Sequence, residues 1–127
     1  MEAVIYLDTH VVAWLYAGAT TLLSSKARAS IEENRLLISP MVELELELLR
    51  EIGRLRVRSG TVIEELRSRI GLEICDLDFR RVVASARELR WTRDPFDRMI
   101  VGHALSAGRG LVTKDRSIRR RFRGALW

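Results

Sequence analysis

Short apolar runs alternate along this chain with longer segments of helical periodicity. The runs predict strands at residues 4–7, 36–39, 72–75, 110–113 and 125–127. The segments between them predict helices at residues 9–16, 25–34, 42–55, 61–70, 79–90 and 95–107, and a short basic helix from residue 117. Because strands that alternate with helices form parallel sheets covered on both faces, we expect an α/β fold, a three-layer α/β/α sandwich with a mostly parallel central sheet.

The segment 42–49 alternates apolar and acidic residues, which is the period of a strand. We interpret it as a helix, because leucine and glutamate are good helix formers and residues 43–49 contain no β-branched side chain. Its apolar stripe would be Leu44, Leu48, Ile52 and Leu55. Its acidic stripe would be Glu43, Glu47 and Glu51. Glu45 is turned by about 200° from Glu43 and would point elsewhere.

Composition narrows the class of protein. A chain of 127 residues that is 47% hydrophobic can bury a core without disulfides or metals, so we expect one domain over 1–127. The longest apolar run, 11–19, has about half the ~20 residues that a membrane span needs, and no secretion signal is recognisable. The single cysteine, Cys75, suits a reducing compartment and the core. We therefore expect a soluble, cytoplasmic protein without membrane contact.

The basic residues suggest a polyanionic partner. The formal net charge is +5, and all 22 basic residues except Lys26 and Lys114 are arginines. Arginine matches phosphate oxygens in pairs, so nucleic acid is one interpretation and an acidic protein partner is another. The densest positive run includes the candidate RNA contacts Arg116, Arg119 and Arg120. That run is explained equally well as a solvated helix face or as a phosphate-steering surface.

Acidic residues follow the predicted strands, where ligands bind in folds of this kind. Asp8 ends the first strand, Glu43 lies early in the helix after the second, and Asp115 follows the fourth. Asp97 comes from another direction, since it begins the helix that precedes the fourth strand. Geometry alone leaves its place in the pocket open.

Each acid also has a purely structural interpretation. Asp8 could cap the first helix, Glu43 could be a solvated helix acid, and Asp115 could start a turn or cap the last helix. Asp94 and Asp97 fit the N-cap and N3 positions of a helix whose first residue is Pro95. If the acids meet instead, a divalent cation would relieve their repulsion. An all-oxygen ligand set favours Mg²⁺ or Mn²⁺ and hydrolysis of a phosphodiester.

The aromatic and histidine side chains are given structural roles. We expect His10 and His103 to pack or to form hydrogen bonds rather than to bind a metal. We expect Trp14, Trp91 and Trp127 to lie in the core or on a dimer face rather than to stack on bases.

Four motifs, taken together, resemble a known family. They are Leu7-Asp8-Thr9-His10, Ile38-Ser39 followed by Glu43-Leu44, the run 93–100 around Asp94-Pro95-Phe96-Asp97, and Leu111-Val112-Thr113-Lys114-Asp115. Their order and spacing resemble PIN-domain proteins of the VapC type, and the resemblance covers nearly the whole chain. The chain departs from the pattern at Thr92 and at Gly102-His103, and neither departure removes an acid.

The resemblance implies both a site and a biological setting. It implies that Asp8, Glu43, Asp97 and Asp115 hold one or two Mg²⁺ or Mn²⁺ ions that activate water for cleavage of single-stranded or looped RNA, and it places Asp97 in the pocket. Thr9, Ser39 and Thr113 would orient water or carboxylates, and we also place Asp94 in this surrounding layer. Members of the family are commonly toxins that form homodimers and are inhibited by a small antitoxin protein.

Two other functions stay open. A catalytically silent PIN-fold module would bind RNA or protein without turnover. A phospho-receiver domain also carries acids at strand ends, but it needs adjacent acids near its first strand, whereas Asp8 stands alone.

Overall fold

The sheet is parallel throughout, as the alternation of strands and helices predicts. In the computed structural model, which describes residues 3–127, five strands pair in the order β3-β2-β1-β4-β5. Their bounds are β1 Val4–Leu7, β2 Arg35–Ile38, β3 Glu73–Ile74, β4 Gly110–Val112 and β5 Ala125–Leu126.

Helices connect these strands and complete the three-layer α/β/α arrangement. Their bounds are α1 Thr9–Ala17, α2 Ser25–Glu33, α3 Pro40–Glu51, α4 Ser59–Ile70, α5 Phe79–Ala86, α6 Pro95–Ala107 and α7 Arg116–Arg121. Most begin or end at the predicted signals: Asp8, Ser24 and Asp94 cap α1, α2 and α6 with side-chain hydrogen bonds, and Gly71 ends α4 with φ of 73°. The predicted fold class is therefore confirmed.

The strand order reverses between β1 and β4. From β1 the chain moves through β2 to β3 on one side, and β4 and β5 lie on the other side. Ligands of open α/β sheets bind beyond the carboxyl ends of the strands at such a reversal. The order also differs from the 2-1-3-4-5 order of phospho-receiver domains, so that alternative is excluded.

Helix α3 turns a different face inward from the one predicted. Val42 and Leu46 are fully buried in the core, while Leu44, Leu48 and Ile52 are 49%, 38% and 67% exposed. Leu44, Leu48 and Ile52 of the predicted apolar stripe thus lie on the surface, and we call these three residues the α3 apolar stripe. This rotation decides which glutamates of α3 face the site.

Smaller differences lie at element ends. Helix α5 ends at Ala86 instead of residue 90, and turns follow over residues 87–90. Strand β3 has only Glu73–Ile74 of the predicted 72–75. Cys75 is buried, as expected, and its Sγ accepts a hydrogen bond of 2.9 Å from the Tyr6 hydroxyl. Within residues 3–127, no helix is long and apolar enough to cross a bilayer.

Candidate active site

Asp8 stands at the carboxyl end of β1, where the strand order reverses. Its backbone N–H donates to the Val112 carbonyl at 3.0 Å, so the first residue after β1 is still tied to β4. Its Oδ1 accepts from the Thr9 N–H at 2.8 Å and its Oδ2 from the Thr113 hydroxyl at 2.6 Å. Both carboxylate oxygens of this 9% exposed side chain are therefore fixed in direction.

Asp115 reaches the same place from the end of β4. Its backbone N–H donates to Thr113 Oγ1 at 3.1 Å, and its Oδ1 accepts from the Ile118 N–H at 2.9 Å as the N-cap of α7. The structural role considered for Asp115, a helix cap, is thus real. It coexists with a position in the cleft, because the second carboxylate oxygen has no part in the cap.

The acid that α3 contributes is Glu45. Thr9 donates its hydroxyl hydrogen to Glu45 Oε1, which joins the start of α1 to the second turn of α3. Thr9 is fully buried and Glu45 is partly buried. Thr9 therefore donates hydrogen bonds to two carboxylates: its N–H to Asp8 and its hydroxyl to Glu45.

The prediction that Glu43 lines the pocket is wrong. Glu43 and Glu45 flank the buried stripe of Val42 and Leu46 on opposite sides, since each lies about 100° around the helix from one of these core residues. The flank with Glu43 also carries Glu47, whose Oε1 accepts from the Ser59 N–H at the start of α4. That flank faces α4, so Glu45 is left to face the strand ends, and Glu43 remains a first-turn acid of α3.

Two more acids come from the N-terminus of α6. Asp94 Oδ1 accepts from the N–H of Phe96 at 2.8 Å and of Asp97 at 3.4 Å, which is the predicted N-cap. Asp97, in the first turn of α6, lines the same cleft as Asp8 and Asp115. The open question about its direction is thereby resolved in favour of the pocket.

Together these side chains line one cleft of about 410 Å³. Its walls are Asp8, His10, Val11, Trp14, Glu45, Asp94, Asp97, Lys114 and Asp115. Five carboxylates thus share a small volume with one ammonium group. The cleft has a strong excess of negative potential on a chain whose net charge is +5.

Burial and the neighbouring charges raise the pKa values of three of these acids. Burial, followed by repulsion from Asp94 and Asp8, raises the pKa of Asp97 to about 7. Burial also raises the pKa of Asp8, against the opposing hydrogen bond from Thr113. Burial raises the pKa of Glu45 as well, and the Thr9 hydroxyl partly offsets it. The cleft therefore favours any ligand that brings positive charge.

Ser39 lies near the site, but its hydrogen-bond partners are not the cleft carboxylates. Its Oγ accepts from the Met41 N–H at 3.1 Å as the N-cap of α3, and it lies 2.8 Å from His103 Nδ1 on α6. His103 is 2% exposed, and burial lowers its pKa, so its imidazole is neutral. His103 thus has the hydrogen-bonding role predicted for it, and Ser39 orients α3 rather than a carboxylate.

The candidate RNA contacts lie outside the cleft walls. Arg116, Arg119 and Arg120 are exposed on α7, the helix that Asp115 caps. Sequence reasoning missed five cleft residues: Glu45, His10, Val11, Trp14 and Lys114. A sequence signal existed for one of them, because Lys114 lies between Thr113 and Asp115.

The donor set of the cleft fits a hard divalent cation. Carboxylate oxygens are the ligands that Mg²⁺ and Mn²⁺ prefer, and a cation would lower the raised pKa values of Asp8, Glu45 and Asp97. Within residues 3–127, no three His, Cys, Asp or Glu side chains are already grouped at metal-binding distances.

The parallel sheet and the carboxylate cleft at its strand reversal define an α/β/α protein with an acidic site. The PIN domain model matches residues 5–122, and the chain belongs to the PIN domain family. Comparison with curated protein sequences gives no significant match.

Two solved structures share this fold. VapBC2 from Rickettsia felis, bound to a DNA fragment from its promoter, is 19% identical, with coverage of 98% of this chain and 99% of that chain and a TM-score of 0.66. VapBC-1 from nontypeable Haemophilus influenzae is 18% identical, with coverage of 98% and 96% and a TM-score of 0.62. At these identities the likeness concerns the fold.

Proposed function

We propose that this protein is a metal-dependent endoribonuclease that hydrolyses RNA phosphodiester bonds. The observation that carries the proposal is the convergence of Asp8, Glu45, Asp97 and Asp115 in one cleft at the strand reversal. Membership of the PIN domain family and the basic, arginine-rich composition support it. In this proposal the four carboxylates hold Mg²⁺ or Mn²⁺, with Glu45 in the role that the sequence assigned to Glu43.

The side chains around these acids define their directions. Thr113 and the Thr9 N–H hold the two oxygens of Asp8, and the Thr9 hydroxyl holds Glu45 Oε1. Asp97 and Asp115 have fewer constraints and can adjust to substrate. When bound, a divalent cation supplies an activated water and stabilises negative charge on the phosphoryl oxygens. Lys114, the one ammonium group of the cleft, would attract the RNA backbone.

We further propose that the chain is the toxin of a toxin–antitoxin pair, acts in the cytoplasm and forms a homodimer. Support for protein partners comes from the VapBC neighbours, which share the fold, and from two exposed apolar surfaces. One is the α3 apolar stripe. The other includes Phe79 and Val83 of α5, 64% and 39% exposed, beside a shallow hollow of about 740 Å³. Exposed apolar patches of this kind mark binding surfaces.

The test is cleavage of RNA by purified, antitoxin-free protein. Total RNA is incubated in Mn²⁺, in Mg²⁺ and in EDTA, with Asp8→Asn purified in the same way to exclude contaminating ribonucleases. Discrete products that require the metal and disappear with Asp8→Asn are the expected result.

If folded wild-type protein and Asp8→Asn are equally inactive on several RNAs in both metals, while RNA or an antitoxin still binds, the protein is a silent binding module.

A further inference from the structure

One wall of the carboxylate cleft is aromatic. His10 and Trp14 lie four residues apart on α1, one helical turn from each other, and both line the cleft. Their ring centroids are 6.1 Å apart with an angle of 50° between the planes. Asp8 caps the same helix, so this wall begins beside the proposed catalytic acid. Trp14 packs against the core, as expected, and it also lines the cleft.

A cation lies against this wall. Lys114 Nζ is 5.8 Å from the centroid of the Trp14 ring, a distance typical of a weak cation–π contact. Lys114 is exposed and forms no ion pair with the part of the chain that the structure describes, residues 3–127. Its ammonium group is thus held near the cleft only loosely and can move to a stronger anionic partner.

The indole also contacts a second tryptophan ring. The Trp127 ring lies 6.0 Å from the Trp14 ring, with the planes tilted by 59°. Trp14 is partly buried, whereas His10 is exposed. An indole ring beside an exposed imidazole and a loosely held ammonium group suits a nucleotide. A nucleotide has a flat base that can stack on a ring and a negatively charged phosphate that can pair with a cation.

We propose that His10, Trp14 and Lys114 form a subsite for one unpaired nucleotide of the RNA substrate, next to the bond that is cut. The base stacks on the indole ring, where it replaces the Lys114 ammonium, and the exposed His10 imidazole, tilted by 50° from the indole, contacts the same nucleotide from the side. Lys114 then contacts a phosphate. The subsite rests on the proposed function, which it deepens by naming the side chains that hold a substrate nucleotide.

Stacking of this kind requires an unpaired base. A base within a duplex has both faces covered by its neighbours, whereas a base in a loop or single strand can leave its stack and lie on an aromatic side chain. Every base has such a face, so the subsite selects strand state more than sequence. Such a base is available in the single-stranded or looped RNA that the resemblance to the PIN-domain family implies as substrate.

Binding is tested with a fluorescently labelled ten-nucleotide oligouridylate and the same strand in a duplex. The measurements use Asp8→Asn protein so that no RNA is cut. Trp14→Leu should weaken binding of the single strand about 10-fold, the loss typical of one stacked base, while Trp14→Phe keeps most of it. Trp91→Leu makes the same change outside the cleft and should leave binding unchanged. Duplex binding should respond to none of these variants.

Variants at two exposed positions, His10 and Lys114, test the subsite without altering the partly buried Trp14. His10→Ala should weaken single-strand binding in the same direction without loss of thermal stability. Lys114→Gln should weaken it and lower the slope of log affinity against log salt by about one phosphate contact. If His10→Ala, Lys114→Gln and folded Trp14→Leu all bind the single strand as tightly as the parent, the subsite is refuted.

Cleavage by the corresponding variants on the wild-type background separates the two proposals. If wild type cuts RNA but Trp14 and His10 are irrelevant to binding and cutting, the subsite fails and the nuclease stands. If Trp14-dependent binding occurs without cutting by wild type, the subsite stands and the nuclease fails. If neither is observed, both are overturned.

Discussion

At the residue scale, Thr113 orients the carboxylate of Asp8 and favours its ionised form. Its hydroxyl donates to Asp8 Oδ2 at 2.6 Å and accepts from the Asp115 N–H, so one buried side chain orients two acids of the cleft. This hydrogen bond opposes the burial that raises the pKa of Asp8. Without it, Asp8 would be harder to ionise and less well directed.

Thr113→Val should therefore raise the Mn²⁺ concentration needed for half-maximal RNA cleavage about 10- to 100-fold, the usual effect of removing a partner of a metal ligand. Valine preserves the shape of threonine, so the fold should persist. Thr61→Val, an exposed change in α4, serves as the control. An unchanged metal requirement in Thr113→Val would show that the hydroxyl does not support the site.

Residue patterns predicted some site members and not others. Asp8, Asp97 and Asp115 stood out because each follows a strand or begins a helix with a clear cap signal. Glu45 did not, because it and Glu43 flank the buried stripe of α3 symmetrically. Only the packing of α3 against α4 breaks that symmetry, and packing of this kind leaves no local sequence signal.

At the element scale, Ser39 joins the two helices that carry Glu45 and Asp97. It caps α3 through the Met41 N–H and pairs with His103 of α6 at 2.8 Å. Both side chains are buried, and loss of the Ser39 hydroxyl leaves His103 Nδ1 with the Met99 carbonyl, at 3.2 Å, as its remaining polar contact. The pair therefore contributes to the relative position of α3 and α6.

Ser39→Ala should lower the free energy of unfolding by about 1–3 kcal/mol, the sum of a lost cap and a lost buried hydrogen bond. Ser24→Ala, which removes only the cap of α2, should cost about 1 kcal/mol. Urea unfolding measures both. Equal losses in the two variants would mean that the contact with His103 contributes nothing.

Glu47 provides the link between α3 and α4. It accepts from the Arg50 guanidinium and from the Ser59 N–H, and these hydrogen bonds lower its pKa to about 2. A carboxyl whose folded pKa is depressed stabilises the protein above its unfolded pKa, and this contribution disappears as pH falls toward the folded value.

The destabilisation caused by Glu47→Ala should thus be full above about pH 5 and should shrink as the pH falls toward 3. Urea unfolding of wild type and variant across this range measures the difference. Glu64→Ala, at an exposed i,i+3 pair with Arg67, should show little effect at any pH. A Glu47→Ala difference that stays constant with pH would contradict the role given to the ionised carboxyl.

Elements themselves were predicted well where local chemistry marks their ends. Asp94 and Pro95 start α6 as expected, and Gly108 ends it with φ of 66°. The end of α5 was missed, because Arg87–Arg90 is as compatible with a helix as with turns. The buried face of α3 was missed because leucines occupy both of its sides, and only the fold decides which side is covered.

At the scale of the whole molecule, the cleft concentrates negative charge on a basic protein. Burial raises the pKa of Asp97 to about 7, and repulsion from the neighbouring carboxylates adds to this increase. Sites of this kind are commonly stabilised by removal of a charge or by addition of a counter-ion.

Asp97→Asn should consequently raise the Tm of the metal-free protein at pH 8 in EDTA, because one of the crowded charges is gone. Mn²⁺ should raise the Tm of wild type and should raise that of Asp97→Asn less. Asp76→Asn, an exposed acid outside the cleft, is the control. If Mn²⁺ leaves the wild-type Tm unchanged, the cleft does not bind this ion.

The global arrangement was predictable in outline. Alternating strands and helices predicted the parallel sheet, and acids after β1 and β4 predicted a site at its edge. The aromatic wall of His10 and Trp14 was not predictable, since a helical spacing of four also describes a core face. Which face of α1 reaches the cleft depends on tertiary packing, to which the contact between the Trp14 and Trp127 rings belongs.

The most direct test compares two glutamates of one helix. Glu45→Gln and Glu43→Gln make the same change two residues apart, and RNA cleavage in Mn²⁺ is measured for both beside wild type. Glu45→Gln should lose about 100-fold or more of the activity, because it removes a carboxylate of the cleft, whereas Glu43→Gln should retain nearly all of it. Loss of activity in Glu43→Gln with full activity in Glu45→Gln would contradict this account of the active site.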